Sequence, residues 1–547
     1  MQILIKRKVD GPSVPELGTP TSVTFDSITV PLNRASTGPA ALAQYELQRS
    51  LDGSTWTTIA TGPSIFGNPA VQFVDGGRIA LTTYYYRARA LDVAGRASAY
   101  SATVSATTAA TIAPSTALLF PRTATVNYTF SRYTQASSQA GMAQFDLVVI
   151  NGWETGYGTV YGQIVDVCAG IKAQNPNTRI FFYLNPSGVR YDSPADRPVL
   201  RAKMNAENWW LRQSYPSGAI VRHPTYPDDM VNLTTGNTRV DSSGRTCAQW
   251  VMGDYAKGMY IDGTLSPNLP NPYLDGFFFD IQRVRAEVNG DFDENGISDS
   301  LGNTGYALAF RQGEAQGMQR FRALMPGLKC IGNTDFHAIR FEARGGTTYP
   351  DATLNQVYDG VMTEGLVGET WSPSSRAATS VAQWAQDQED MASDITTCFN
   401  HAYRWHTLTS SNWQDARHAI CAQLCVGNSA VFYMDTAFDT FSETNGSDGV
   451  LKWYDEFDAG GLGRYYLGRE SDLRQKTAWS NGVWRRRFEN GWVLWNPERN
   501  GVRTVNLGQT MRRLQGRAGY SDTAVNNGAT VTSVTLQDRD GLVLLNG

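Results

Sequence analysis

Phe145-Asp146-Leu147-Val148-Val149-Ile150 and Arg179-Ile180-Phe181-Phe182-Tyr183-Leu184 decide the fold. Each is an almost unbroken apolar run of strand length, the pattern of a strand buried on both faces of a parallel sheet. Further short strands are expected at Gly276–Ile281, Lys329–Asn333, Tyr358–Glu364 and Ser429–Asp435. Weaker ones are expected at Ala219–Arg222 and Thr396–His401. Helices fit between them. Ser380–Ile395 carries Val381, Trp384 and Met391 at helical spacing, and Asn412–Cys425 opens on a capping residue. Eight strand-helix units over residues 119–477 predict a (β/α)8 barrel with insertions. A doubly wound open sheet is the alternative.

Functional side chains of a parallel barrel project from the C-terminal strand ends. Reading those ends gives Asn151, Trp153 and Glu154 after the first strand, and Tyr183 and Asn185 on the second. Asp280, Asn333 with Asp335, Glu364 and Asp435 follow on later strands, with Trp371 beyond. Carboxylates do acid–base work, amides bind hydroxyls, and aromatic faces stack on sugar rings.

Asp280 and Glu364 are the candidate catalytic pair. Glycoside cleavage needs one carboxyl to protonate the leaving oxygen and a second to activate water or attack the anomeric carbon, about 5–9.5 Å apart. Phe277-Phe278-Phe279 gives little reason for a charge at Asp280 otherwise. The structural alternative makes either acid a helix cap or a hydrogen-bonding brace.

Asp291-Phe292-Asp293-Glu294-Asn295-Gly296-Ile297-Ser298-Asp299 follows the first nine positions of an EF-hand calcium loop. Asp291, Asp293, Asn295, the Ile297 carbonyl and Asp299 would ligate a structural Ca²⁺. Position 12 is Gly302 instead of the bidentate Glu. The alternative is a solvated acidic turn.

The flanks read differently. Residues 1–15 form a basic, then Pro/Gly-rich tail. Residues 16–108 alternate as short strands, and 109–118, AATIAPSTAL, make a linker. YELQRSLDGSTWTTIA, FVDGG and TTYYYRARALDVAGRASAYS resemble a fibronectin type III domain, which implies a β-sandwich with a spacer or adhesion role. The early strand SITVPLNRAS lacks the usual tryptophan, and Val30 is expected to fill its place. Residues 478–547 return to β structure. Val483–Phe488 and Trp492–Asn496 flank an Asn490-Gly491 turn, and strands are expected at Thr530–Leu536 and Leu542–Leu545. The reading is a small antiparallel β domain.

Lys and Arg number 47 against 51 Asp and Glu, a net charge of −4 without a basic block. That excludes a dedicated nucleic-acid binder. No apolar run is long enough to span a bilayer, and the N-terminal stretch predicts no signal peptide. The six cysteines lack CxxC spacing and are expected as buried thiols. His418, Cys421 and Cys425 share a helical face that reads as core. No G-x-S-x-G, P-loop or H-E-x-x-H motif occurs, and no organic cofactor is expected.

FDLVVINGWE, NPNTRIFFYLNPSG, YLDGFFFDIQ, DFDENGISDS, CIGNTD and YDGVMTEG resemble a group of glycoside hydrolases with TIM-barrel folds. RRRFENGWVLWNPERNGVRTVNLG and NNGATVTSVTLQDRDGLVLL resemble the β domain that closes such proteins. The resemblance implies that Asp280 and Glu364 match the family's strand-end acids, and Asn185 and Asn333 its rim amides. The expected activity is cleavage of a cell-surface or extracellular polysaccharide. The rival is a carbohydrate-binding or structural protein with a lost catalytic site. A fibronectin-like module without a secretion signal is common in bacteriophage tail proteins, which would place the chain on a virion beside tail assembly partners. A third reading is a secreted bacterial enzyme whose export signal is absent from this sequence.

Overall fold

The computed structural model describes residues 11–21, 27–34, 36–38, 41–62, 72–76, 82–108, 119–127, 132–151, 164–193, 197–266, 270–280, 288–300, 304–333, 358–363, 397–402, 413–426, 432–436, 453–471 and 478–547. The expected linker 109–118 and the expected helix at Ser380–Ile395 lie outside them.

Seven N-terminal strands are β1 (Glu16–Leu17), β2 (Ser27–Arg34), β3 (Leu42–Ser50), β4 (Thr57–Gly62), β5 (Gln72–Gly76), β6 (Thr83–Asp92) and β7 (Val104–Thr107). They form two antiparallel sheets, β1-β2-β5 and β4-β3-β6-β7. Every second residue of β6 is buried, the period-two signature of a strand with one face on a core. Tyr84, Tyr86, Ala88 and Ala90 meet Tyr45, Leu47 and Ile28 there. Val30 is fully buried among them. The Tyr86 hydroxyl donates to Asp75 at 2.7 Å, so this large phenol is buried with its polar end satisfied.

The central strands are β8 (Thr123–Asn127), β9 (Leu147–Ile150), β10 (Arg179–Leu184), β11 (Gly188–Arg190), β12 (Asp228–Met230), β13 (Gly276–Phe279), β14 (Lys329–Asn333), β15 (Gly360–Thr363), β16 (Thr397–Ala402) and β17 (Phe432–Thr436). All but β11 and β12 close into one ring in the order β10-β13-β14-β15-β16-β17-β8-β9. Each neighbouring pair is parallel. Alternation divides their side chains. Ala124, Val126, Leu147, Val149, Phe181, Phe278, Ile331 and Met362 pack together inside the ring. Val148, Ile150, Ile180, Phe182, Phe277 and Phe279 face the surrounding helices.

The expected complete (β/α)8 repeat is corrected by the helices. α1 (Ala136–Ala143) follows β8, α2 (Ile164–Gln174) follows β9, and α3 (Pro198–Glu207), α4 (Cys247–Gln249) and α5 (Ala256–Tyr260) follow β10. α6 (Thr304–Leu324) follows β13, α7 (Trp413–Val426) follows β16, and the one-turn α8 (Asp455–Asp458) follows β17. Among the described residues no helix stands between β14 and β15 or between β15 and β16, so the alternation is incomplete over the described residues. The sheets are also mixed. Between β10 and β13 the chain makes an antiparallel patch, with β11 on β12 and bridges Trp210–Val231, Arg212–Ile220 and Arg222–Asp229. The strand expected at Ala219–Arg222 belongs to this patch and not to the ring. Its place in the ring is taken by β8, whose sequence TATVN carries only one bulky apolar residue.

The last five strands, β18 (Trp484–Phe488), β19 (Gly491–Asn496), β20 (Arg503–Arg513), β21 (Thr530–Leu536) and β22 (Asp540–Asn546), form one antiparallel sheet in the order β18-β19-β22-β20-β21. Its inner face packs on α7, where Ala419, Ile420 and Leu424 meet Val493, Trp495, Val543 and Leu545. At Gly541 an added Cβ would lie 2.4 Å from the Cys421 Cβ, so only glycine allows that approach. His418 is buried there, its Nδ1 accepting from Trp495 Nε1 at 3.0 Å. Cys168, Cys247, Cys330, Cys421 and Cys425 are buried free thiols. No helix among the described residues is long and apolar enough to cross a membrane.

Candidate active site at the barrel end

The interior layer sets the floor of the site. Phe278 and Ile331 fill the ring, and Tyr183 lies on that layer, its ring stacked on Phe278 at 6.0 Å between centroids. Two positions beyond Phe278 comes Asp280, and two beyond Ile331 comes Asn333. Because side chains alternate along a strand, both point to the same interior side. The Asp280 N–H donates to the Leu184 carbonyl at 2.9 Å, extending the ladder one residue past β13 and fixing the backbone that carries the acid.

Three strands converge on this carboxylate. Asn333 Nδ2 donates to Asp280 Oδ1 at 2.7 Å, and the Tyr183 hydroxyl donates to Oδ2. All three side chains are half-buried. One carboxylate held by a donor on each oxygen, at the mouth of a packed barrel, is a positioned acceptor rather than a loose surface charge.

Asn151, the residue after β9, follows Val149 by two positions and is 2 % exposed. Its backbone N–H donates to the Tyr133 hydroxyl at 3.0 Å, while its Oδ1 is buried without a hydrogen-bond partner among the described residues. A buried orphan acceptor is costly unless a donor reaches it. Asn185 is also buried, and its Oδ1 accepts the Ser187 N–H at 2.9 Å, committing that oxygen to the turn into β11. Asp435 lies within β17, its backbone paired with His401 and Ala124. Trp153, Glu154, Asp335, Glu364 and Trp371 lie outside the described residues.

Sequence reasoning passed over Asp228 on β12. It is 8 % exposed, and burial raises its carboxyl above the ordinary range although Arg197, Arg190 and His223 pull the other way. Arg197 also donates to the Asn185 carbonyl at 2.6 Å, which ties this acid to the end of β10. An acid inside a two-residue Asp-Asp pair in a polar stretch carries no periodic signal.

The acidic loop lies on the chain leaving β13. Asp291, Asp293 and Asp299 each offer a carboxylate oxygen, all within 4.8 Å of one another. Asp291 Oδ1 accepts the Asn295 N–H at 3.0 Å, and its Oδ2 accepts from Gly296 at 2.8 Å and Tyr215 at 2.6 Å. Gly296 has φ 90° and Glu294 φ 60°, the sharp turn such a loop needs. The Ile297 N–H donates to Asn295 Oδ1 at 2.8 Å. Asp299 and Asp293 beside the Tyr306 phenol hold it above its usual range, a sign of concentrated negative charge. Hard oxygen donors in this density fit a calcium ion.

No family model and no curated protein matches the chain. Among solved structures, the chain is similar to the glycoside hydrolase domain of PelA from Pseudomonas aeruginosa, at 14 % identity and a TM-score of 0.34. That match covers 58 % of this chain and 96 % of that one. The sixth fibronectin type III domain of human fibronectin type III domain containing protein 3 is similar at 21 % identity and a TM-score of 0.17, covering 20 % of this chain and 95 % of that one. A β-1,2-glucanase from Parabacteroides distasonis is similar at 22 % identity and a TM-score of 0.16, covering 25 % of this chain and 15 % of that one.

Proposed function

We propose that the chain is a glycoside hydrolase acting on a polysaccharide, with Asp280 and Glu364 as its carboxyl pair. The observation that carries this reading is the double anchoring of Asp280 by Tyr183 and Asn333 at the C-terminal end of the parallel barrel. With a donor on each oxygen, Asp280 suits the accepting role. It would take a proton from water or attack the anomeric carbon. Glu364 then protonates the leaving oxygen. Glu364 follows Met362, an interior residue, by two positions, the same parity that links Asp280 to Phe278 and Asn333 to Ile331. The orphan Asn151 Oδ1 would accept a substrate hydroxyl.

Asp291, Asp293, Asn295, Asp299 and the Ile297 carbonyl would hold a structural Ca²⁺. The ion would brace the rim without entering the reaction. The test is release of reducing ends from purified bacterial surface polysaccharide. Wild type should release them, and D280N and E364Q should keep the fold and release none. Full activity in both variants, or binding without release by wild type, overturns the reading.

A further inference from the structure

A second cleft opens at the same end of the barrel, with a volume of about 960 Å³. The described residues that line it come from two excursions, one leaving β10 and one leaving β13. Gln213, Ile220, Arg222 and Asp229 come from the first, Asn289 and Ser298 from the second. The two are stitched by Asp291, whose N–H donates to the Arg212 carbonyl at 2.8 Å while its carboxylate takes the Tyr215 N–H.

Arg222 is the residue whose chemistry stands out. Its Nε faces Asp229 Oδ1 at 3.3 Å, and its guanidinium carbon lies 4.1 Å from the centre of the Tyr191 ring. A salt bridge on one edge and an aromatic ring on one face hold the planar fork still. Yet 62 % of its side chain remains exposed, so its outer N–H groups face solvent at the cleft. Asp229 is 8 % exposed and is also paired with Arg201 at 3.1 Å. Two guanidinium groups therefore share one carboxylate. Around the fork, Gln213 and Ser298 supply exposed hydrogen-bonding groups and Ile220 an apolar patch. An immobilised guanidinium with free outer donors matches a carboxylate in two parallel hydrogen bonds.

We infer that this cleft is a distal subsite for a glycan unit carrying a carboxylate, a hexuronate, recognised by Arg222. The inference rests on reading the barrel end as a glycan cleft, and it adds that the polymer is acidic. The test is calorimetric binding of tetra- to hexasaccharides of galacturonate, glucuronate and mannuronate, each beside its methyl ester, to D280N protein. The catalytic change prevents turnover without touching the cleft, so failure of hydrolysis and failure of this subsite read separately. At least one acidic oligosaccharide should bind. Its affinity should fall about tenfold or more on methyl esterification and on R222Q, as loss of a charge-assisted pair requires. Gln213→Trp, which fills the cleft from an exposed position, should weaken it similarly. Absence of binding by every acidic oligosaccharide overturns the inference. So does equal binding of the esters, or unchanged affinity in both R222Q and Q213W.

Discussion

Asn333 donates to Asp280 across the β14–β13 boundary at 2.7 Å, tying two neighbouring strand ends through one carboxylate oxygen. Tyr183 performs the matching service from the other side. If Asp280 reacts, its partners set its aim. D280N should lower kcat by about 10³-fold or more, and N333A or Y183F by about tenfold to a hundredfold with KM little changed. Steady-state kinetics on the polysaccharide check this. A rise in KM alone, with kcat intact, would reassign both partners to ground-state binding.

Calcium should raise the melting temperature. An ion that binds only the folded chain stabilises it by about 2.7 kcal/mol at a hundred times its Kd. Chelation should remove that gain, and D293N with D299N should abolish it while leaving the metal-free stability nearly unchanged. Scanning calorimetry with and without millimolar CaCl2 measures it. A melting point indifferent to calcium would leave the loop as a hydrogen-bonded turn.

Glu456 gives a stability that depends on pH. Burial pushes its carboxyl up to about 6, although Asn526 Nδ2 donates to it at 2.7 Å. The unfolded chain releases this proton near 4.5, the folded chain near 6. Between those values folding takes up a proton, so stability falls as pH rises through the window, and the deficit is complete above it. E456Q keeps an acceptor for Asn526 and carries no charge. It should therefore be more stable than wild type at pH 8, by about 2 kcal/mol at most, and equal to it at pH 4. Urea unfolding at the two pH values decides.

Arg417 holds the barrel helix α7 to the C-terminal sheet through Asp540 at 3.0 Å and Asp522 at 2.8 Å. Asp540 is 6 % exposed and its carboxyl is raised by burial, so it needs that partner. R417A should cost about 3 kcal/mol by leaving a buried acid uncompensated, and R417A with D540N should recover much of the loss. Chemical denaturation of both variants tests the coupling.

The sequence showed the strands that are apolar throughout. Leu147–Ile150, Arg179–Leu184 and Gly276–Phe279 announce themselves because both faces are buried. Thr123–Asn127 does not, because Thr123 and Thr125 are buried polar residues that break the apolar run. The excursion between β10 and β13 was opaque for another reason. It is held by single bridges and strands of three residues, too short to show any period. Reading the strand ends singled out Asp280 and Asn333, which the structure brings within hydrogen-bonding distance. It was silent on Asp228 and Arg222, whose significance comes from burial and stacking made by residues distant in sequence.

The apolar packing divides unevenly along the chain. The N-terminal sandwich keeps its own core, whereas α7, the outer barrel strands and the last β-sheet share one continuous interior. For anyone wishing to recombine this protein, the first part is an exchangeable cassette. The remainder is a single casting, and cutting it ahead of Trp484 would strip the lining from the helix that backs the seventh and eighth staves.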